Sequence, residues 1–261
     1  MPERTSYKPG TPSFVDLSTT DVAAAKSFYA DLFGWKFDDM DAGNGNTYTM
    51  ATLRGKAVAG LAPQPEIMAA AGAPPCWNSY VTVANADASA AQIGSEGGTV
   101  LMPPMDVMDA GRMAVATDPT GAFFMIWEPK GSIGAELVNE PGAYSWNELM
   151  TPDVDKAVAF YGQTFGWKAN PLDMGGMTYT LLELDGQGIG GAMNPPMEGI
   201  PPNWGVYFSV DDCDTTVEKA TKGGANVLNT PMDVPDVGRM SALTDPQGAM
   251  FSVLKNAGPT T

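Results

Sequence analysis

Two carboxylates, Asp16 and Glu148, stand 132 residues apart, and each follows an aromatic residue by two positions, Phe14 and Trp146. The chain contains no histidine. Imidazole is the usual general base near neutral pH and the commonest ligand for transition metals. Ser-His-Asp and Cys-His mechanisms are therefore excluded, and so is any metal site that relies on histidine. With imidazole gone, Asp16 and Glu148 are the best candidates for a catalytic acid or base. Arg112 and Arg239 begin paired Arg-Met motifs. They are placed either to neutralise those carboxylates or a ligand's anionic oxygen, or to act as structural ion-pair residues. Cys76 and Cys213 form no CxxC pair and no disulfide framework, so they read as free, small, semi-buried residues.

These groups must be positioned by a duplicated chain. FYADLFGWK at 28–36 is answered by FYGQTFGWK at 160–168, PMDVMDAGRM at 104–113 by PMDVPDVGRM at 231–240, and TDPTGAFF at 117–124 by TDPQGAMF at 244–251. The offset is 132 at Trp35 and Trp167, 131 at Tyr48 and Tyr179, and 127 at Trp77 and Trp204. Length changes of this kind sit in loops, here the bend at 39–46 and the Pro-rich connection at 62–76. The chain divides into two homologous domains, 1–136 and 137–261.

Each half reads the same way. FVDLST is a short strand. Thr and Asp then open a helix whose apolar side carries Ala25, Phe28, Tyr29 and Leu32, with Gly34 as its stop. WKFDDM, TYTMATLRG and KAVAGLAP follow as strands. A second cycle begins at YVTVAN, passes through the helix DASAAQIGSEGG, and closes with the hairpin GRMAVATD-PT-GAFFMIWE. Each half thus contains βαβββ twice, and the chain four such units. The class is α+β, with cupped, mixed, mostly antiparallel sheets.

Composition sets outer limits. The 261 residues are 44% hydrophobic, enough for a sizeable core, and Gly 30 and Pro 22 imply many turns. No apolar run reaches the roughly 18–20 residues that span a bilayer, and the polar N-terminus lacks a secretory core, so the expectation is a soluble, cytoplasmic protein. A net charge of −16 repels phosphate backbones and anionic lipid, which excludes nucleic acid and membrane as partners.

A strand, then Asp-x-x-x-(Ala/Ser)-x-x-Phe-Tyr-x-x-x-Phe-Gly-Trp, then a closing Gly-Arg-Met-x4-Asp-Pro-x-Gly-Ala-x-Phe strand resembles the vicinal oxygen chelate superfamily of glyoxalases, bleomycin-resistance proteins and dioxygenases. The resemblance covers about 11–256. The doubled arrangement is similar to two-domain actinobacterial proteins described as hydroxylase-like or glyoxalase-like, mycobacterial members among them. It implies paired βαβββ modules curled around a ligand. Cavities in this superfamily often form by pairing modules of two domains, so that one fused chain makes its own pseudo-dimer. A monomer would then suffice, with a homodimer as the alternative.

Carried over slot by slot, the superfamily's metal-ligand positions fall on Phe14, Gly60, Asn78 and Met125 in the first half. In the second they fall on Trp146, Gly191, Gly205 and Ser252. None is His, Asp, Glu or Cys, so the expectation is no metal and no other cofactor. By strand alternation from those slots, the inner faces carry Phe14, Asp16, Ser18, Asn78, Tyr80, Thr82, Phe123, Met125 and Trp127, and on the other side Trp146, Glu148, Met150, Tyr207, Ser209, Met250 and Ser252. Either these side chains fill the half-barrel as core, or they line a pocket for a flat apolar ligand. Asp16 and Glu148 are either solvent-facing at the rim, or bonded to backbone N–H groups, or polar anchors and acid/base groups with raised pKa. Trp146 should crowd its cavity more than Phe14 crowds the other.

The expected function is metal-free binding of a small aromatic or hydrophobic molecule, of sequestration or resistance type, in a cavity between βαβββ modules. The alternative is a metal-independent hydroxylase or cyclase/isomerase of secondary metabolism that uses Asp16 or Glu148. A stress or surface protein with vestigial cavities is a third possibility. Trp35 and Trp167 are expected to pack each first helix on its own sheet.

Overall fold

The structure is a computed structural model and describes residues 2–43, 45–66, 70 and 72–257. The first half runs β1 (Pro12–Thr19), α1 (Val22–Phe33), β2 (Lys36–Asp41), β3 (Thr47–Leu53), β4 (Lys56–Pro63), β5 (Cys76–Thr82), α2 (Ala86–Ser95), β6 (Thr99–Val107), β7 (Gly111–Thr117) and β8 (Phe123–Pro129). The second half repeats it as β9 (Tyr144–Met150), α3 (Val154–Phe165), β10 (Lys168–Asp173), β11 (Thr178–Leu184), β12 (Gln187–Met193), β13 (Asn203–Ser209), α4 (Cys213–Lys222), β14 (Asn226–Val227), β15 (Met232–Val234), β16 (Gly238–Thr244) and β17 (Met250–Asn256). The second strand of the last module is broken into β14 and β15. The length differences between the halves fall between β2 and β3 and between β4 and β5. Residues 67–69 and 71 of that second connection lie outside the described residues.

The helices begin and end where local chemistry directs. The Asp21 and Asp153 carboxylates accept from the backbone N–H of Ala24 and Lys156, satisfying donors that a helix start leaves open. Gly34 and Gly166 close α1 and α3 at φ 75°, a left-handed conformation that glycine adopts without strain. At the hairpin turn, the Asp118 carboxylate accepts from the N–H groups of Thr120, Gly121 and Ala122.

The strands form one sheet per half. The first has the order β2-β3-β4-β1-β5-β8-β7-β6, and the second β10-β11-β12-β9-β13-β17-β16-β14, with β15 on β16. Antiparallel pairing of β1 with β5, and of β9 with β13, joins the two modules within each half. This corrects the expectation of modules paired across domains: each cup is built inside one half, because its central strands hydrogen-bond to each other.

The halves meet instead through their helix-bearing faces. Phe28 and Tyr29 of α1 pack against Phe251 of β17, with ring centroids 6.2 and 5.7 Å apart. Phe160 and Tyr161 of α3 pack reciprocally on Phe124 of β8, at 6.0 and 5.6 Å. Both hydrophobic cores therefore draw on both halves. Polar bonds reinforce the seam. The Tyr29 hydroxyl donates to Asp245 at 3.1 Å and accepts from the Trp77 indole. The Tyr161 hydroxyl donates to Asp118 at 3.1 Å and accepts from Trp204. Trp35 and Trp167 go beyond packing their own helices: each indole donates across the seam at 2.6 Å, to the carbonyls of Gly142 and Gly10 respectively.

Replacing Tyr29 by Phe leaves Asp245 Oδ2 and the Trp77 N–H without a partner in a buried seam. Tyr29→Phe and Tyr161→Phe should each destabilise the chain by about 1–3 kcal/mol. The two effects should add, because separate sites with no shared partner are close to independent. Urea unfolding of the two single variants and the double variant checks this.

Candidate functional site

The face of each sheet opposite the helices is the cup. In the first half its floor is set by register. Asp16 on β1 stands between Gly60 on β4 and Asn78 on β5, and one step along, Phe14 pairs with Tyr80, which pairs with Met125 on β8. Phe14 and Tyr80 meet edge-to-face at 5.8 Å, and Tyr80 and Trp127 at 6.4 Å.

The Asp16 carboxylate is 6% exposed and is neither at the rim nor on backbone N–H groups. It accepts from the Tyr80 hydroxyl at 2.7 Å, the Asn78 amide at 2.8 Å and the Tyr48 hydroxyl at 3.3 Å. Burial pushes its pKa up, against the pull of hydrogen bonds from Tyr80, Asn78 and Tyr48. The second cup repeats the plan. Glu148, 7% exposed, lies between Gly191 and Gly205 in register. It accepts from the Tyr207 hydroxyl at 2.8 Å, and the Tyr179 phenol lies beside it. Its pKa is likewise raised by burial, with Tyr207 and Tyr179 acting in opposition. Trp146 completes this cluster by donating from its indole to the Tyr179 hydroxyl at 2.9 Å.

The structure therefore brings Phe14, Asp16, Asn78, Tyr80, Met125 and Trp127 together in one cup, and Trp146, Glu148, Tyr207, Met250 and Ser252 in the other. Three expected site residues fall elsewhere. Phe123 is 53% exposed. It shares the cup face, but β5 flanks β8 only from Met125 onward, so nothing encloses its ring. Arg112 pairs with Glu128, one step out of phase with Met113 and Trp127, and so lies on the helix face. There it grips Asp87 at the start of α2 with two bonds, of 2.8 and 2.9 Å. Arg239 does the same to Asp214 at the start of α4, at 2.6 and 2.9 Å. Neither arginine touches a cup carboxylate.

Tyr48 and Tyr179 escaped the sequence reading, which followed only the strands bearing ligand slots. Both lie on β3-type strands, next to the glycine slots. A Cβ on Gly60 would stand 1.8 Å from the Tyr48 hydroxyl, and one on Gly191 would stand 1.9 Å from that of Tyr179. The phenols occupy the space that a side chain at positions 60 and 191 would need. The repeated match of a tyrosine with a nearby glycine in both halves is the signal that pointed to them.

These floors do not fit a divalent ion. Each offers one carboxylate, already engaged by phenol donors, and the glycine slots are filled by hydroxyls. Among the described residues, no three of Cys, Asp and Glu come together. A catalytic ion needs about three protein ligands. What the arrangement offers instead is a buried carboxyl, bonded to phenols, at which a proton can be shared or moved. No helix among the described residues is long and apolar enough to cross a membrane.

The chain resembles known proteins along nearly all its length. It is 49% identical over 259 residues to CFP32 of Mycobacterium tuberculosis, a protein named as a glyoxylase, covering 98% of this chain and 99% of that one. It is 38% identical to the anthracycline biosynthesis protein DauV of Streptomyces sp. strain C5, covering 96% and 95%. Among solved structures, the Mn(II)-bound glyoxalase of Novosphingobium aromaticivorans superposes with TM-score 0.65 at 18% identity, covering 96% of this chain and 84% of that one. A substituted 4-hydroxymandelate synthase from Streptomyces coelicolor gives 0.64 at 13% identity, covering 98% and 95%. At such identities the likeness is one of fold. The profile of the Glyoxalase/Bleomycin resistance protein/Dioxygenase superfamily matches residues 12–126 and 143–253, once in each half, and the chain belongs to that superfamily.

Proposed function

We propose that this protein binds a small, planar aromatic molecule of polyketide type on the floor of a cup, without a metal ion, and holds it unchanged. The observation that carries this reading is the pair of phenols standing in the glycine slots. They turn the place for an ion into a carboxylate–tyrosine cluster set in aromatic and methionine surface. Phe14, Tyr80, Met125 and Trp127 supply faces and edges for a flat ring, and Asp16 with its donors supplies orientation. Two relatives named as anthracycline biosynthesis proteins, 38% and 36% identical over nearly the whole chain, favour a flat polycyclic ligand. Each cup is complete within one chain, so a monomer suffices.

A second reading is supported by the burial of the carboxylates. A buried carboxyl with a raised pKa, hydrogen-bonded to phenols, is equipped for proton transfer. Asp16 or Glu148 would then serve a metal-independent hydroxylase or isomerase. The two readings separate on one experiment. A hydroxylated anthraquinone incubated with the protein and recovered intact by mass spectrometry supports binding. Its conversion, abolished by Asp16→Asn or Glu148→Gln with affinity retained, supports catalysis. Neither binding nor conversion would remove both.

Binding should not respond to divalent ions. Chelator treatment followed by Mn2+, Zn2+ or Ni2+ should leave both the melting temperature and the ligand affinity unchanged. A rise in either with stoichiometric uptake of the ion would overturn the metal-free reading.

The raised carboxyls also set a pH dependence of known sign. The folded state keeps their protons at pH values where the unfolded chain, titrating at about 4, has lost them. Their contribution to stability is full below that range and is lost as pH rises through the folded-state values. Asp16→Asn and Glu148→Gln remove that loss. Each variant's stability relative to the parent should therefore increase from pH 4 upward and then level off, as read by urea midpoints across pH.

A further inference from the structure

The floor of the first cup is closed by its own side chains: Phe14, Asp16, Tyr80 and Trp127 are all buried. Open surface begins beside them. From β5 the sheet continues through β8 and β7 to β6 at its edge, and strand pairing carries the cup face outward with it. One row runs from Tyr80 through Met125 and Val115 to Met102, the next from Trp127 through Met113 to Met105. Met102 and Met105 are three positions apart, which in a regular strand would put them on opposite faces. The register shift between them gives β6 one extra residue against Val115 and Met113, so both fall on the cup face. Asp106 fixes the side independently: it pairs with Arg112, which grips Asp87 on the helix face. Met102 is 42% and Met105 46% exposed, Met113 and Met125 are half-buried, and Phe123 stands free at the start of β8.

The second half does not build this wall. Asn229 stands where the first half has Met102, Ser252 where it has Met125, and Leu254 where it has Trp127. The Asn229 amide oxygen accepts from the N–H of Ala242, and its backbone carbonyl accepts from the Ser241 hydroxyl. The strand is broken there into β14 and β15.

We propose that a neutral, planar aromatic ligand lies on this methionine wall of the first half, over Met102, Met105, Met113 and Met125, with Phe123 at its edge. This rests on the reading of the protein as an aromatic-binding protein and names the surface that it uses. Thioethers are polarisable and flexible and make favourable contacts with aromatic rings, and Phe123 adds a ring of its own. No charged side chain lies on the wall, and the chain carries a net charge of −16, so a neutral ring is accepted and an anionic one repelled. A polypeptide strand finds no continuous ladder at this edge, because β6 carries Pro103 and Pro104, which have no N–H to pair with it. What remains for the exposed thioethers is a ligand that lies across the face of the sheet.

Oxidation footprinting of the full chain reads the site directly. Dilute hydrogen peroxide transfers an oxygen atom to each exposed thioether, releasing water, and peptide mass spectrometry follows every methionine separately. Saturation with 1-hydroxyanthraquinone should slow the oxidation of Met102 and Met105 severalfold and leave Met197 and Met232, both exposed in the second half, unchanged. Met102→Ser combined with Met105→Ser should weaken binding of the same probe about tenfold, and Met232→Ser should leave it as it was. Anthraquinone-2-sulfonate, an anionic counterpart, should bind several times more weakly than the neutral ring, and the gap should close with added salt. Both substituted methionines are exposed, so the double variant should keep the parent's melting temperature; if it does not, the footprint decides. A bound probe that protects neither methionine, binding unaffected by the double variant in its folded state, or equal binding of the sulfonate would overturn this proposal, while the aromatic-binding reading stands. Oxidation of the pair that slows with protein concentration in the absence of probe would assign the wall to a second copy of the chain and overturn it as well. No binding of either ring would remove the aromatic-binding reading and this proposal with it.

Discussion

A carboxylate taken out of water must be met by donors; this chain has no imidazole, and no buried cation among the described residues, to meet it. Four acids are buried, Asp16, Asp118, Glu148 and Asp245, and a tyrosine hydroxyl answers each of them. Five of the chain's eight tyrosines are engaged this way, counting Tyr48 beside Tyr80 in the first cup. An unpaired buried charge is far more costly than a hydrogen-bonded one, so these contacts constrain everything around them. Two of the acids stitch the halves together, and two sit in the cup floors. The same device thus serves both the docking of the halves and the interior of the cups.

The repeated Phe-Tyr…Phe-Gly-Trp phrase serves the seam more than the cup. Within it the first phenylalanine and the tyrosine pack against the other half's closing strand. The tyrosine hydroxyl reaches that half's turn aspartate, and the tryptophan donates to a carbonyl beyond its own module. The Asp-Pro-x-Gly turn is therefore doubly used: one carboxylate oxygen of Asp118 orders its own turn, and the other accepts from the partner half. Both motifs mark an interface between halves, and the chemistry of the cups rests on residues outside them.

Much of this was legible in the sequence. Repeats, helix caps, turns and strand alternation are local, so the four modules and most of the cup floor follow from short-range pattern. What required the structure was register. Arg112 and Arg239 lie one residue away from cup-facing methionines, and a single step moves a side chain to the opposite face. Only the pairing across the hairpin, Arg112 with Glu128 and Met113 with Trp127, fixes their side. Tyr48 and Tyr179 depended on strand pairing as well. They matter because the next strand of the same hairpin carries glycine where the phenol lies, which only the pairing of the two strands reveals. Burial of Asp16 and Glu148 was likewise undecidable until their donors, which lie on other strands, were placed.

The divergence between the halves is itself compensated. Where the first cup has Asp16 beside Asn78, the second has Glu148 beside Gly205. One carboxylate is longer by a methylene, and the adjacent amide is missing. The longer arm keeps its hydrogen bond to Tyr207 at 2.8 Å, close to the 2.7 Å between Asp16 and Tyr80. The lost amide donor is not replaced on the carboxylate. Instead, Trp146 adds a donor one step back, on Tyr179. The Glu148 carboxylate therefore accepts from one phenol, Tyr207, where that of Asp16 accepts from two phenols and an amide.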